Sequence, residues 1–187
     1  MDALINELSV YSKIDSSTIP YNFREISVAG YFGDCVEELG IDLESKNMKL
    51  NYINLCKKDT KVILDPEQIK RVVNNIITNA VKYNDKEQGI INIRIRDVKD
   101  GIEVEIEDNG KGIKEGELPY VFDRMYRADS SRNSSTGGSG LGLSIAKKII
   151  EEHGGDVVAQ SKEGMDTTIR FTLKSSKENV DGQDTNY

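Results

Sequence analysis

Two glycine-rich segments, residues 108–113 and 137–143, are the first candidates for chemistry in this chain of 187 residues. They read Asp-Asn-Gly-Lys-Gly-Ile and Gly-Gly-Ser-Gly-Leu-Gly-Leu. Glycine lets the backbone adopt positive φ and approach a ligand closely. The second segment leads into a predicted helix over residues 144–150, and the N–H groups at a helix N-terminus bind anions. We therefore expect a nucleotide pocket, with the phosphates at residues 138–142 and a mobile flap between the two segments.

Three polar residues, Asn75, Asn79 and Lys82, recur at helical spacing in another segment. At about 100° per residue they fall within roughly a 60° arc, away from the apolar stripe of the same helix. Two carboxamides and an ammonium group on one ridge could bind a metal ion and phosphates. The alternative is that they form the polar side that any amphipathic helix needs, and taken alone the three residues favour this alternative.

Asp108 ends a predicted strand just before the first glycines. A carboxylate there can accept a hydrogen bond from the exocyclic amine of adenine, which guanine lacks at that edge; the alternative is an ordinary Asp-Asn-Gly turn. Residues 138–142 match neither a P-loop nor a Rossmann fingerprint, because they lack Gly-Lys-Ser/Thr and no strand precedes them in a βαβ unit. The single histidine, His153, lies at a predicted helix end, where capping of carbonyl groups is favoured over catalysis.

The elements that must position these residues follow from hydrophobic periodicity and capping signals. The strongest signal is a helix that starts at Asp65 as N-cap and Pro66 as first residue, with apolar residues on one face as far as Val81. A second helical stripe runs from Phe32 to Leu43. Strands are predicted at residues 22–28, 47–55, 61–64, 91–96, 102–107, 157–161 and 167–173. The sum is an α+β fold, a two-layer sandwich with a mixed, mostly antiparallel sheet covered on one face by helices.

Composition limits the range of functions. The net charge of −7 and the pI near 4.9 argue against a nucleic-acid partner. Cys35 and Cys56 are the only cysteines, without paired spacing, which is typical of a reduced cytosolic protein. No apolar run approaches the roughly 20 residues of a membrane span, and no signal peptide is recognised. We expect one domain over residues 16–174, the end of a longer helix at 1–15 and an unstructured tail at 175–187.

Four motifs in order resemble the catalytic ATP-binding domain of bacterial sensor histidine kinases, a branch of the superfamily that includes gyrase. Residues 75–83 are similar to the N box of that family, and Asp108-x-Gly110-x-Gly112 to its first glycine box. Residues 121–127 resemble the F box, and residues 137–143 the second glycine box. The resemblance covers roughly Phe23 to Leu173, and residues 1–15 resemble the end of the second helix of the family's dimerisation domain. It implies the Bergerat fold, binding of ATP and Mg²⁺, and an ATP lid over about residues 114–136.

The resemblance also implies roles for individual residues. Asn79 would be the Mg²⁺ ligand with Asn75 nearby, and Lys82 would contact phosphate. Tyr83 would pack beside base and sugar, Asp108 would bind the adenine amine, and Thr167 would lie behind the base. Asn75, Lys82 and Arg127 would form the catalytic group. The remaining nucleotide contacts would come from Gly110, Gly112, Ile113, Tyr126, Gly138, Gly140, Leu141 and Gly142.

The sequence departs from the family pattern at two places, and from the pattern of the superfamily's hydrolases at a third. Asp166 stands where the third glycine box usually has glycine. Asn75 occupies the position where the hydrolases of the superfamily have a water-activating glutamate, which favours phosphoryl transfer over hydrolysis. The phospho-accepting histidine box is absent, because His153 has the wrong context. We therefore expect a catalytic fragment of a longer kinase, or a protein that acts on a partner in trans.

The resemblance implies the partners as well. They are ATP, a histidine-bearing dimerisation domain of the same kinase and a response regulator receiver domain. The fragment would be monomeric and cytoplasmic, and its parent a homodimer that can be anchored in the inner membrane. Two alternatives stay open: a Ser/Thr kinase of the anti-sigma type, and a nucleotide-sensing interaction module without catalytic activity.

Overall fold

The computed structural model describes residues 20–127 and 139–175. Within them the chain forms three α-helices, α1 (Val28–Glu44), α2 (Pro66–Lys82) and α3 (Gly142–Glu152), and a short 3₁₀-helix at Leu118–Tyr120. The strands are β1 (Arg24–Ser27), β2 (Met48–Asn54), β3 (Lys61–Leu64), β4 (Gly89–Val98), β5 (Gly101–Asp108), β6 (Val157–Lys162) and β7 (Asp166–Lys174). No described helix is both long and apolar enough to cross a bilayer.

The main sheet has five strands in the order β2-β4-β5-β7-β6. β2 pairs with β4 in parallel, and the other neighbours are antiparallel. β1 and β3 form a separate antiparallel pair. The predicted α+β fold with a mixed, mostly antiparallel sheet is therefore confirmed. The register places Asp108, the last residue of β5, opposite Thr167 near the start of β7, so two predicted site residues come from neighbouring strand ends.

The two faces of the sheet differ because polar and apolar residues alternate along its strands. Ile93, Val104 and Phe171 belong to the buried set, which packs with the apolar faces of the helices in one core. The opposite face carries ion pairs, among them Glu105 with Arg94 and with Arg170, both at 2.6 Å. Partial burial works to raise the pKa of Glu105, but hydrogen bonds from the two arginines outweigh it and hold that pKa below its ordinary value.

Helix α2 forms as its local signals predict. The Asp65 side chain accepts hydrogen bonds from the N–H groups of Glu67 and Gln68 at 3.0 and 3.2 Å, a cap that stabilises a helix by about 1 kcal/mol. Pro66 occupies the first turn, where its missing N–H costs nothing. The predicted apolar face is buried, and the helix ends at Lys82. Asn75, Asn79 and Lys82 are only half-buried, so they lie beside the core and not in it.

His153 links the end of α3 to the start of α2. Its Nε2 accepts the backbone N–H of Asp65 at 3.0 Å, and its Nδ1 lies 2.7 Å from the carbonyl oxygen of Ile149. The first contact requires an acceptor and the second a donor, which assigns a neutral ring with the proton on Nδ1. Burial lowers the pKa of His153, as fits this tautomer. The rings of Tyr21 and Phe23 lie edge-on to the imidazole at 5.6 and 4.9 Å. The predicted capping role is confirmed, and the link to Asp65 adds to it.

Some predictions fall at the limits of the described residues. The predicted helix at 1–15, residues 128–136 of the predicted lid, Gly138, and the tail from residue 176 lie outside them. Ser175, the first residue of the predicted unstructured tail, lies within the described residues. It forms an antiparallel bridge with Val62, and its N–H donates to the carbonyl oxygen of Asp100 at 3.0 Å. The residue after β7 therefore contacts β3 and the turn between β4 and β5.

Candidate functional site

A cavity of about 490 Å³ opens between α2, the segment that follows β5, and the start of α3. Asn79 from α2, Asp108 from β5 and Gly140 from the second glycine segment all contribute to its wall. The described residues predicted to bind or act on a ligand line this cavity, with two exceptions, Gly110 and Leu141. They are Asn75, Asn79, Lys82, Tyr83, Asp108, Gly112, Ile113, Tyr126, Arg127, Gly140, Gly142 and Thr167. The structure therefore brings the separate motifs together.

Helix α2 supplies one wall of the cavity. The Asn75 side chain donates from Nδ2 to the carbonyl oxygen of Gly142 at 2.9 Å, so it joins the middle of α2 to the first turn of α3. Asn79 lies one helical turn further on and also lines the cavity. Tyr83 caps the helix, and its N–H donates to the carbonyl oxygen of Asn79 at 2.9 Å. The wall thus offers amide oxygens, an aromatic ring and the ammonium group of Lys82.

Asp108 is the acidic group deepest in the site. Burial raises its pKa to about 6, the Gly110 amide opposes this shift, and the charges of Asp166 and Glu107 add to it. The Gly110 N–H donates to Asp108 Oδ1 at 2.9 Å, which explains why Gly110 supports the site without lining it. A carboxylate in a cleft with a strongly raised pKa is a frequent mark of a functional residue. Its remaining lone pairs can accept from a ligand donor such as an exocyclic amine.

The first glycine turn packs on the hairpin of β6 and β7. Gly112 has φ +68°, and a Cβ there would lie 2.2 Å from the carbonyl oxygen of Lys162, so only glycine fits. The Ile113 N–H donates to Ser161 Oγ at 2.8 Å. The Ser161 hydroxyl in turn donates to the carbonyl oxygen of Asp166 at 2.5 Å. Asp166 at the third glycine position therefore lies at the start of β7, within the same hydrogen-bonded group that fixes the turn.

The second glycine segment packs on the end of the F-box segment. Gly140 has φ +74°, and a Cβ there would lie 2.8 Å from the backbone carbon of Met125. Leu141 does not line the cavity, because its side chain is 2% exposed and belongs to the core. Its N–H donates to Ser139 Oγ at 3.0 Å, and α3 starts at the next residue. Gly140 and Gly142 thus hold the backbone at the cavity wall while Leu141 anchors it.

The described part of the predicted lid, residues 114–127, consists of hydrogen-bonded turns. The N–H of Glu117 donates to the carbonyl oxygen of Lys114 at 2.8 Å, and the 3₁₀-helix Leu118–Tyr120 follows. The rings of Tyr120 and Tyr126 lie 5.8 Å apart. Tyr126 and Arg127 reach the cavity from this side, where the resemblance predicts them.

The charge of the cavity wall contrasts with that of the whole chain. In the described part of the chain four cationic side chains line it, Lys82, Lys111, Lys114 and Arg127, against three acidic ones, Asp108, Glu117 and Glu163, although the chain carries a net charge of −7. The described residues contain no group of three or more His, Cys, Asp or Glu side chains suited to a metal ion. Magnesium commonly binds through one or two protein oxygens, water and substrate phosphates. The amide oxygen of Asn79 at the wall fits such a partial site.

Residues 64–177 match the family of histidine kinase-, DNA gyrase B-, and HSP90-like ATPases. The chain belongs to this ATPase family. Sensor histidine kinase WalK of Bacillus subtilis (strain 168) is 35% identical over 186 residues, which are 98% of this chain and 30% of WalK. The chain therefore spans less than a third of this relative.

Two solved structures extend the comparison. The catalytic domain of histidine kinase ThkA, in a nucleotide-free form, has a TM-score of 0.68 at 25% identity and matches 82% of this chain and 96% of that domain. Full-length ShkA in complex with AMPPNP has a TM-score of 0.79 at 17% identity and matches 92% of this chain and 35% of ShkA. At that identity ShkA supports the fold alone, whereas ThkA and WalK are histidine kinases to which the chain is similar in sequence.

Several residues in the site of this ATPase-family domain were not predicted. Ser161, Glu163 and Lys114 contribute to the cavity or to the turn at its edge. Their positions depend on how the β6–β7 hairpin and the segment after Ile113 pack on the rest of the domain, for which the sequence carries no local signal. Lys111 is different, because it stands between Gly110 and Gly112 inside a motif that the sequence analysis identifies.

Proposed function

We propose that the chain is the ATP-binding catalytic domain of a sensor histidine kinase, which transfers the γ-phosphoryl group of ATP to a histidine on a separate dimerisation domain. The observation that carries the proposal is the convergence of Asn79, Asp108 and Gly140 on one cavity of about 490 Å³. The names of WalK and ThkA support it, and the likeness to ShkA supports the fold.

The wall of the cavity suggests how ATP would lie in it. Asp108 would accept a hydrogen bond from the adenine amine, and Thr167, opposite it in the register, would lie behind the base. The phosphates would extend towards Gly140 and Gly142, near the start of α3. This orientation pairs the neutral base with the most deeply buried end of the site and the anionic phosphates with the backbone N–H groups of a helix start.

Phosphoryl transfer depends mostly on positioning and charge neutralisation. Lys82 and Arg127 line the cavity and would neutralise charge on the phosphates. Asn79 would hold Mg²⁺, which when bound neutralises charge that develops on the phosphate oxygens. Tyr126, beside Arg127, would help to close this side of the site.

The same residues argue against efficient hydrolysis. A carboxamide cannot accept a proton from water, and the Asn75 side chain is already bonded to the carbonyl oxygen of Gly142. An acceptor imidazole needs no base, because its neutral form is itself a nucleophile. His153 cannot be that acceptor, since it is buried and both ring nitrogens have backbone partners. The acceptor would therefore come from a dimerisation domain.

The histidine-bearing dimerisation domain and a response regulator receiver domain would be the protein partners, and nucleic acid would not be one. The chain itself would be monomeric and cytoplasmic, within a homodimeric parent kinase.

Calorimetry with Mg²⁺–ATP and Mg²⁺–GTP tests the site, with the wild type and Asp108→Asn. We expect the wild type to bind ATP and not GTP, and the variant to lose most of its ATP affinity. Incubation with the dimerisation domain of the parent kinase and labelled ATP then tests the reaction. Acid-labile phosphohistidine supports the proposal, whereas phosphoserine, or ATP binding without any transfer, would contradict it and favour one of the two alternatives.

A further inference from the structure

Two ammonium groups lie over the same aromatic ring at the cavity wall. Lys82 Nζ is 4.9 Å and Lys111 Nζ is 4.7 Å from the centroid of the Tyr83 ring. Both distances are within the range of cation–π attraction, about 6 Å. Tyr83 therefore brings together a lysine from the end of α2 and a lysine from the first glycine turn, which lie 29 positions apart in the sequence.

The backbone of Lys111 is fixed on both sides. Its N–H donates to the carbonyl oxygen of Tyr83 at 3.2 Å, and its own carbonyl oxygen accepts the N–H of Gly164 at 2.7 Å. Because Gly112 leaves no room for a side chain against Lys162, the turn cannot shift easily. The Lys111 side chain therefore starts from a defined point and contributes to the cavity wall.

Neither lysine has an acidic partner among the described residues. Other lysines do: Lys61 lies 2.7 Å from Glu25, and Lys70 lies 2.6 Å from Glu38. No ion pair involving Lys82 or Lys111 occurs within residues 20–127 and 139–175. Two like charges held near one ring repel each other, and an anionic ligand in the cavity would relieve that repulsion.

We propose that Lys111 is a second phosphate-binding lysine of this site, and that Tyr83 is the positioning residue that holds Lys111 and Lys82 for the ligand. The proposal rests on the proposed function, because it takes the occupant of the cavity to be a nucleoside triphosphate. The negative charge of such a ligand lies on its phosphates, whereas base and ribose are neutral. Lys111 would therefore contribute to the affinity for phosphates and not to that for the base.

Calorimetry on the full chain tests the role of Lys111, with Mg²⁺–ATP and with adenosine as ligands. Lys111→Met should bind ATP about tenfold more weakly, as expected for one charge-assisted hydrogen bond. Its affinity for adenosine should stay within about twofold of the wild type, and Lys111→Arg, which keeps the charge, should restore ATP binding. Lys49→Met is the matched control, because Lys49 is exposed on β2 outside the cavity wall and its loss changes the net charge equally.

Three outcomes would overturn the role of Lys111: unchanged ATP affinity in Lys111→Met, an equal loss for ATP and adenosine, or an equal loss in Lys49→Met. Failure of the wild type to bind ATP would instead refute the proposed function itself. The two failures are therefore distinguishable.

A double-mutant cycle tests the role of Tyr83. Tyr83→Leu removes the ring and should weaken ATP binding. If Tyr83 acts by holding the ammonium groups, Tyr83→Leu should cost clearly less ATP affinity in the Lys111→Met background than in the wild type. Equal costs in the two backgrounds would refute the positioning role.

Discussion

Replacement of Asp108 by asparagine should stabilise the nucleotide-free domain while it weakens ATP binding. The Asp108 carboxylate is largely buried, and its pKa rises to about 6 from an ordinary value of 3.8. The folded domain therefore disfavours the charged form that prevails at neutral pH. Asparagine has nearly the same shape and is neutral, and its side-chain oxygen can still accept the Gly110 N–H that Asp108 Oδ1 accepts at 2.9 Å.

The size of the effect follows from the shift in pKa. A shift of about two units corresponds to roughly 3 kcal/mol of unfolding free energy, an upper bound since the structure can relax. Between about pH 4 and 6 the folded state holds a proton at Asp108 that the unfolded state has lost. The contribution of Asp108 to stability therefore falls as the pH rises through this window. The advantage of Asp108→Asn should grow from about pH 4 to 6 and stay constant above.

Urea unfolding of the wild type and Asp108→Asn from pH 4 to 8 measures this advantage. Asp59→Asn is the control, because Asp59 is an exposed carboxylate in the loop between β2 and β3. Its difference from the wild type should not vary with pH in this way. A flat difference between Asp108→Asn and the wild type would refute the argument from burial. Retained ATP affinity in the variant would refute the role of the carboxylate in base recognition.

Three further predictions concern the rest of the site. Gly140→Ala should lower the free energy of unfolding by about 1–2 kcal/mol and weaken ATP binding, because Gly140 has a positive φ and a close backbone contact. Thermal melts and calorimetry measure both effects. Gly116→Ala is the control and should change neither stability nor ATP binding, because a Cβ there has open space. Because the pKa of His153 is lowered, its contribution to stability is full above pH 6.5 and falls as the pH drops below that value. Urea unfolding of Asp108→Asn should reveal this fall, because that variant lacks the opposing effect of Asp108. The isolated chain should bind Mg²⁺–ATP but hydrolyse it very slowly in a phosphate-release assay, and fast hydrolysis that Asn75→Ala abolishes would contradict the argument.

Much of the fold could be predicted because its signals are local. The Asp65 cap, Pro66 and the apolar stripe define α2 without reference to the rest of the chain, and β3 has the predicted bounds Lys61–Leu64. The order of the strands could not be derived in this way. The parallel pairing of β2 beside β4 depends on how distant segments pack. The alternation in β2 also did not decide which of its faces is buried. The structure buries Met48 and leaves Ile53 48% exposed.

In the candidate site, too, local features could be predicted and long-range contacts could not. The residue types of its motifs were recognised in the sequence, and the resemblance implied that they converge. The contacts that hold them in place were not predicted, because each joins residues far apart in the chain: Asn75 with Gly142, Ile113 with Ser161, and Asp65 with His153, 88 positions apart. Lys111 lies inside a motif recognised in the sequence, but its role follows only from its position over the Tyr83 ring.

The two ties between α2 and α3 have a mechanical consequence. One tie, from Asn75 to Gly142, lies at the cavity; the other, from Asp65 to His153, lies about 15 Å away along α2. Helices joined at two points cannot slide past each other by one residue without breaking both hydrogen bonds, which favours their movement as one unit. Asp65 Oδ2 also accepts the N–H of Asn22 at 2.8 Å, which attaches the chain just before β1 to the N-terminal end of α2. A tilt of the two helices at the cavity would therefore also move the chain at Asn22, just before β1.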